Sequence, residues 1–593
     1  MKILFSFCLL VCISTFVQAQ TLPILQGGTY NTKIFNEQGT HTVAYDNLTN
    51  KLFSCNTKLN TIDVIDYSDI NNPIKTKSID ISQYVAKVTG VASSLGLLAV
   101  IGNNGTAHGS GKLLFFNSSG NYLKQYSVGA APKMVAFSPG GSYITVVNEG
   151  APSNDYLNDP LGTISLMNIS SGVNSTPQSA MADISFYDWD SLSILDPQIR
   201  VFGNNGTAWP SQDLEPEFLA FNKSFTQAYF TLPENNAIGS IDIQSDAMLD
   251  PKPLGFKDFG MVGLDASDVN QKININTYAG LYGMYQPTGI STFKSGGLTY
   301  LATANEGAIR DYSGYSEKAT VGSLVLDAVN FPNWANWQQD SIIGQLQVTN
   351  TLGSEKFPGV YDSLFCFGGR SFSIWDTTGT LIWDSGDEFE QTLASLQAAN
   401  FNSASADNNS YKASSIVSGC KPKGIAIGEV DGVKYAFIGL SEMGGIMVYD
   451  MSNPMQPQFE TYLLNRNFSV AANDPAAGDL GTHGLEFVPA AKNPSGLALL
   501  FVANQVSGNV TVYSMGVGVG LDEGYTAPNA DLYPNPSTGV FHSDETHTFE
   551  IFDAQGKKVM NVTDVNKIDL SQQPNGYYII KTSEGVTRRV VKK

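Results

Sequence analysis

Carboxylates crowd a few short stretches of this chain, at spacings that suggest a shared task. Asp213, Glu215 and Glu217 sit on alternate positions of one five-residue run, and Asn148-Glu149-Gly150 and Asn305-Glu306-Gly307 repeat one tripeptide. Asp311 follows shortly after Glu306, and Asp384, Asp387, Glu388 and Glu390 share the stretch DSGDEFE. Carboxylates at close range repel, and they take up protons or a cation to relieve it. Oxygen ligands with few histidines favour Ca2+ or Mg2+ over zinc. The candidate metal ligands are Glu149, Asp213, Glu215, Glu217, Glu306, Asp311 and Glu388. His41, His108 and His483 are the only histidines before residue 516, and no CxxC pair occurs.

Arginine is as sparse in this region, at Arg200, Arg310, Arg370 and Arg466. Arg310 lies in NEGAIRDY and Arg370 in GGRSFSIWD, so both fall inside conspicuous loops. A guanidinium there clamps a phosphate or carboxylate bidentately, which makes both candidates for catalysis. Equally, it serves as an ion pair that holds neighbouring acids in place. No GxSxG elbow, P-loop, HExxH or EF-hand loop is present.

The acids must be positioned by strands. Residues 213–243 read as three short strands separated by polar turns, rich in aromatic and β-branched types. The unit recurs at 41–67, 131–169, 286–312, 421–450 and 482–515, with weaker copies at 88–116 and 362–384. One small antiparallel sheet cannot bury both faces alone, so the repeats must stack. The expectation is an all-β chain, a β-propeller of seven or eight blades over residues 20–515, with residues 20–36 supplying a strand that shuts the ring. Equivalent positions in successive blades converge on one end of the central channel, which gathers the acids. Insertions interrupt the repeat. Residues 170–212 should cap one face, residues 327–340 have helical character, and residues 399–418 read as a flexible surface loop.

A length of 593 residues with 57 glycines and 15% charged residues suits a turn-rich β protein rather than a disordered one. The net charge of −20 argues against nucleic acid or an acidic membrane surface as partner. Residues 1–19 read as a secretory signal, with Lys2 before an apolar run and a cleavage site after Val17-Gln18-Ala19. No later segment is long enough to span a bilayer as a helix. Beyond the signal remain Cys55, Cys366 and Cys420, either three buried thiols or one pair and one free.

Residues 516–529 read as a linker, and residues 530–593 change character. Short alternating strands with Asn-Pro and Asn-Gly turns there suggest a small C-terminal β-sandwich. Tyr533-Pro534-Asn535-Pro536, Gly576-Tyr577-Tyr578 and the basic end at Arg588, Arg589, Lys592 and Lys593 resemble the type A sorting domain of the type IX secretion system. That resemblance implies the type IX machinery as partner and a secreted protein at the surface of a Gram-negative bacterium.

Before residue 516 the chain resembles the choice-of-anchor I family. The carriers include Val147-Asn148-Glu149-Gly150, Asp213-Leu214-Glu215-Pro216-Glu217, Ala304-Asn305-Glu306-Gly307 and Arg370-Ser371-Phe372-Ser373-Ile374. The family usually has Pro-Glu-Pro-Glu-Gly where this chain has Cys420-Lys421-Pro422-Lys423-Gly424, and Gly-Pro-Glu-Gly-Leu where it has Gly481-Thr482-His483-Gly484-Leu485. Lys421, Lys423 and His483 thus mark substituted loops. Lys421 and Lys423 are expected to face Glu215 and Glu217 in place of a cation. The reading is a surface-attached propeller that binds an extracellular ligand. The alternatives are a divalent-metal phosphoesterase and a calcium-collecting structural or adhesion protein.

Overall fold

The computed structural model describes residues 22–516 apart from 107, 192 and 193, and residues 532–593 apart from 536, 554–556 and 583–586. The signal at 1–19 and nearly all of the linker at 516–529 lie outside the described residues. The chain divides into two units, Met1–Val517 and Gly518–Lys593.

The first unit is all-β. Seven four-stranded sheets follow one another, over residues 43–80, 87–130, 132–185, 219–253, 290–384, 422–463 and 482–515, the last completed by Ile24–Asn31. Sheets one to seven are numbered in that order. In every sheet neighbouring strands are antiparallel, as hairpin-sized turns require. The expected closure is found, with Ile24–Asn31 pairing antiparallel to Asn509–Met515 and Thr29 opposite Thr511. The first strands pack edge to edge around a ring: sheet one on two, two on three, four on five, five on six, six on seven, and seven back on one. Sheets three and four meet through Lys133 and Glu217.

Seven of the core clusters lie between adjacent sheets. Phe53, Val64, Val91 and Val100 fill the space between sheets one and two, and Val147, Leu166, Phe186 and Phe230 the space between three and four. Truncating one such buried phenylalanine to alanine costs roughly 3–5 kcal/mol. Within sheet four Gly239 stands opposite Phe230, and a Cβ on Gly239 would lie 2.1 Å from the ring.

Two expectations change. The copies at 286–312 and 362–384 are one sheet, because Leu298–Ala304 pairs with Phe372–Asp376 across a long insertion. That insertion joins Phe256–Asp258 and Leu281–Met284 in a five-stranded sheet with its own core around Leu281, Phe331, Val348 and Leu364. Residues 399–418 are not a surface loop either. Phe401, Asn402, Lys412 and Ser415 are buried, because this segment supplies the carbonyls and amides that receive Arg370 and Arg466.

In the second unit the described residues form one four-stranded antiparallel sheet, ordered Lys558–Asp569, Val540–Asp553, Gly576–Thr582, Thr587–Lys592. Phe541, Phe549, Ile551, Ile568 and Ile580 make its core.

Candidate functional site

The site grows from one irregularity repeated around the ring. In sheets two, three, six and seven the register of the first strand slips just after its start, so an extra residue bulges toward the channel. Sheets four and five do the same: Glu217 and Phe218 both bond to Thr231, and Thr288 and Gly289 both bond to Ala304. The bulged residues are Thr89, Lys133, Glu217, Thr288, Lys423 and His483, and the equivalent residue of sheet one is His41. Bulges re-aim side chains, and here they turn two lysines, two histidines and a glutamate to one mouth.

The turns after the second strands add two acids. Glu149 and Glu306 precede Gly150 and Gly307, whose φ values of 72° and 94° are left-handed. A Cβ on Gly150 would stand 2.5 Å from the Leu161 carbonyl, and one on Gly307 2.9 Å from the Gly368 amide. Only glycine fits there, so each glutamate is held at the strand end. Asn148 and Asn305 anchor these turns by donating to Thr163 and Ser165, and to Ser371 and Ser373.

Charges at the mouth pair across sheets. Lys133 Nζ lies 2.7 Å from Glu149 and 2.9 Å from Glu217. Burial works against this ammonium, yet the two carboxylates hold it well above the usual lysine range. Burial raises Glu149, and Lys133 partly offsets that. Glu306 takes Lys423 at 2.8 Å and Lys421 at 3.5 Å. Burial would raise Glu306, but the two lysines bring it below the ordinary range. Lys421 and Lys423 therefore answer Glu306 rather than Glu215 and Glu217, because the start of sheet six meets the turn after the second strand of sheet five. Burial lowers His41 to about 4 and His483 well below its usual range, so both rings are neutral. Their centroids stand 5.8 Å apart, edge to face.

The other named residues separate from this mouth. Arg310 is 1% exposed and binds Asp213 at 2.9 Å, Glu215 at 3.1 Å, the Asp213 carbonyl and Tyr156. Asp213 also accepts from the Phe202 and Gly203 amides. Arg370 sits in a different network, on Glu390, the Asp265 carbonyl and the Ser415 carbonyl. Both guanidiniums are spent on fastening loops, and the ion-pair reading of them is the one the geometry matches. Arg200 and Arg466 do likewise, on Glu317 and on the carbonyls of Glu442 and Ala404. Asp311 is solvated and pairs with Lys318, and Glu388 accepts from Tyr449. Neither belongs to the mouth cluster.

Sequence reasoning missed Glu234. Burial raises it to about 8, with Glu217 and Glu149 adding to the effect and Arg310 opposing it. Burial also raises Glu215 well above its usual range, and neither Glu215 oxygen has a hydrogen-bond donor. These oxygens have the chemistry a Ca2+ ion wants. Among the described residues, however, no three His, Cys, Asp or Glu side chains stand close enough to hold one ion together. The set as folded does not fit a divalent cation, because Lys133 and Arg310 stand among the acids. Cys55, Cys366 and Cys420 are buried free thiols far up their titration range, held there by burial.

Below the mouth the channel opens into a cavity of about 460 Å3, and a second of about 250 Å3 lies outside it. Thr42, Lys133, Phe218 and His483 line both, so one layer of side chains divides the passage.

An all-β ring of this kind, with a charged channel mouth, defines the class, and sequence comparison supplies the family. Residues 41–454 match the choice-of-anchor I domain, and the chain belongs to that family. Residues 531–593 match the secretion system C-terminal sorting domain. The chain is 26% identical over 349 residues to the mesenchyme-specific cell surface glycoprotein of Strongylocentrotus purpuratus, covering 53% of this chain and 44% of that protein. It is 25% identical over 187 residues to Gigasin-3a of Magallana gigas, covering 30% of this chain and 66% of that protein. It thus spans less than two thirds of either relative. Solved structures aligned with it include a streptogramin B lyase, with 13% identity, 84% and 98% of the two chains covered and a TM-score of 0.41. The hydrazine synthase of Kuenenia stuttgartiensis aligns at 12% identity, 82% and 97% coverage and a TM-score of 0.41. The sorting domain marks a secreted or cell-surface protein, and no described helix is long and apolar enough to cross a membrane.

Proposed function

We propose that the seven sheets are the blades of a seven-bladed β-propeller, displayed on the outer face of the outer membrane through type IX secretion, and that it binds an extracellular ligand at the channel mouth. The observation that carries this reading is the repeated bulge, which converges Lys133, Glu217, Lys423 and the two histidines on one opening. Lys133 and Lys423 are already held by carboxylates, so this part of the rim is preorganised. A ligand that offers both donors and acceptors exchanges with these pairs at little electrostatic cost. A strongly charged ligand breaks them. The relative named a cell surface glycoprotein fits a role in surface contact.

A Ca2+ or Mg2+ ion enters this reading only by displacing Lys133 from between Glu149 and Glu217. The phosphoesterase reading has less support, because Arg310 and Arg370 are engaged inside the protein. The test is an array of extracellular glycans and peptides probed with the purified mature chain and with a Lys133→Ala, Lys423→Ala variant. Binding that the variant loses supports the mouth. Binding that survives unchanged refutes it.

A further inference from the structure

Counting from the bulge, the same register position recurs three residues further along each first strand. It holds Ala44, Ala92, Ala136, Ala220, Ser291 and Ala426 in sheets one to six. Their second-strand partners are Phe53, Ala99, Thr145, Tyr229, Ala302 and Phe437. In sheet seven the position is Glu486, opposite Phe501. Six small residues and one glutamate therefore share one layer of the ring. Glu486 lines the inner cavity and is the only carboxylate that does so.

No hydrogen bond or ion pair reaches this carboxylate among the described residues. Two other ionisable groups line the cavity. Lys133 is held at the rim by Glu149 and Glu217, and burial keeps His483 neutral. The remaining walls mix apolar side chains, Val135, Phe137, Phe218 and Ile425 among them, with the hydroxyl-bearing Thr42, Ser93, Ser94 and Ser138. Glu486 is half-buried on the cavity wall, and no packing reason retains a carboxylate where alanine fits the same position in five other sheets.

We infer that the inner cavity is a binding site for a small organic ammonium ion, with Glu486 as its counter-charge and the aromatic walls against its apolar body. The volume of about 460 Å3 falls within the usual range of small-molecule sites. Phe218 and Phe137 line the cavity, and aromatic side chains attract a cation. A divalent metal is the poorer match, since one carboxylate and a few hydroxyls do not complete its oxygen shell. Burial pushes the Glu486 carboxyl up to about 7, so occupancy falls as the pH drops below that value.

The site is separate from the mouth ligand: the array reports on the rim and the following titration on the inner cavity. The mature chain is titrated calorimetrically with benzylammonium chloride, with its neutral isostere benzyl alcohol, and with CaCl2. Benzylammonium is expected to bind one-to-one and benzyl alcohol far more weakly. Glu486→Gln is expected to weaken benzylammonium roughly ten- to a hundredfold, the scale of one charge-assisted hydrogen bond. Glu486→Ala should fold with an unchanged or higher Tm, because it removes an unpaired charge. Equal binding by the native chain and Glu486→Gln overturns the proposal, as does no heat from benzylammonium at millimolar concentration. Ca2+ binding that depends on Glu486 overturns the ligand class. A fall in Tm for Glu486→Ala shows a structural role and overturns it too.

Discussion

Lys423 Nζ stands 2.8 Å from both carboxylate oxygens of Glu306. The same motif recurs on the other side of the ring, where Lys133 bridges Glu149 and Glu217. In each case an ammonium on a first-strand bulge answers a partly buried carboxylate, and Lys133 also separates two that would otherwise repel. Lys421 and Lys423 pair with Glu306 in place of the expected Glu215 and Glu217.

Lys133→Met should therefore leave Glu149 and Glu217 facing each other without a counter-charge. The cost is about 1–3 kcal/mol, since the pair is only partly buried and water screens some of it. Millimolar Ca2+ should recover much of the lost Tm in the variant and change the native protein little. Scanning calorimetry with and without Ca2+ reads both. A variant whose Tm ignores Ca2+ shows that these carboxylates do not form an ion site even when vacated.

Arg310 makes a second, independent case. It is 1% exposed and fastens the loop after residue 305 to Asp213, Glu215 and Tyr156. Arg310→Gln should cost roughly 3–5 kcal/mol, because Asp213 and Glu215 are left buried without a cation. Arg310→Lys should also destabilise, since one ammonium cannot reproduce the fork. Urea midpoints measure this. A substrate clamp would behave otherwise, with Arg310→Lys stable and only binding or turnover lost.

The repeats were legible because alternation and turn residues write each hairpin locally. What escaped was non-local. Residues 362–384 read as another copy because the five-stranded insertion separates Leu298–Ala304 from its partner Phe372–Asp376. The acids Glu149, Glu217 and Glu306 were named and do reach the mouth, Glu149 and Glu306 through the tripeptide turns and Glu217 through its bulge. Lys133 and Glu234 were passed over, because a single charge beside an apolar run carries no signal until the bulge aims it. Asp311 and Glu388 misled for the converse reason: they stand next to site residues in sequence but turn to solvent and to Tyr449. The alanine layer was visible in VAY, VAS, VAF, LAF and IAI, and Glu486 in LEF breaks it.

Buried carboxyls set the pH dependence. Burial raises Glu234 to about 8, Glu486 to about 7, and Asp159 and Asp479 to about 6. Each holds a proton in the folded state that the unfolded chain has released, so stability falls as pH rises through the window from about 4.5 to about 8. The histidines act oppositely. Burial lowers His41 to about 4 and His483 below its usual range, so they remove stability as pH falls below about 6.5. Tm should thus rise as pH is lowered from about 8 to about 6.5 and flatten below, where the two effects compete. A Tm that drops steadily over the upper interval would contradict the assigned burial.

Export rests on the second unit. Removing residues 531–593 should leave the first unit folded, because its ring closes through Ile24–Asn31 and every core cluster of that unit is its own. The truncated protein should accumulate in the periplasm and resist protease added to intact cells. Cleavage at the native level would show that another route carries it to the surface.

Closure of the ring offers the sharpest test of architecture. Thr29 and Thr511 are in register on the closing strands, and their hydroxyl oxygens stand 3.0 Å apart although 482 residues separate them. Cysteines at both positions should oxidise readily, since directly opposed residues on antiparallel strands have Cβ atoms about 4.5–5.5 Å apart and a disulfide needs only a small approach from there. The native thiols do not compete, because Cys55, Cys366 and Cys420 are buried away from the closing strands. The bond would tie the two ends of the ring together and stabilise by about 2–4 kcal/mol, chiefly by restricting the unfolded chain. The expected result is a faster-migrating band on a non-reducing gel, with a Tm raised under oxidising conditions and restored to the native value by reductant. If Thr29→Cys, Thr511→Cys stays reduced under mild oxidant while the protein is folded, Ile24–Asn31 is not the strand that shuts the ring.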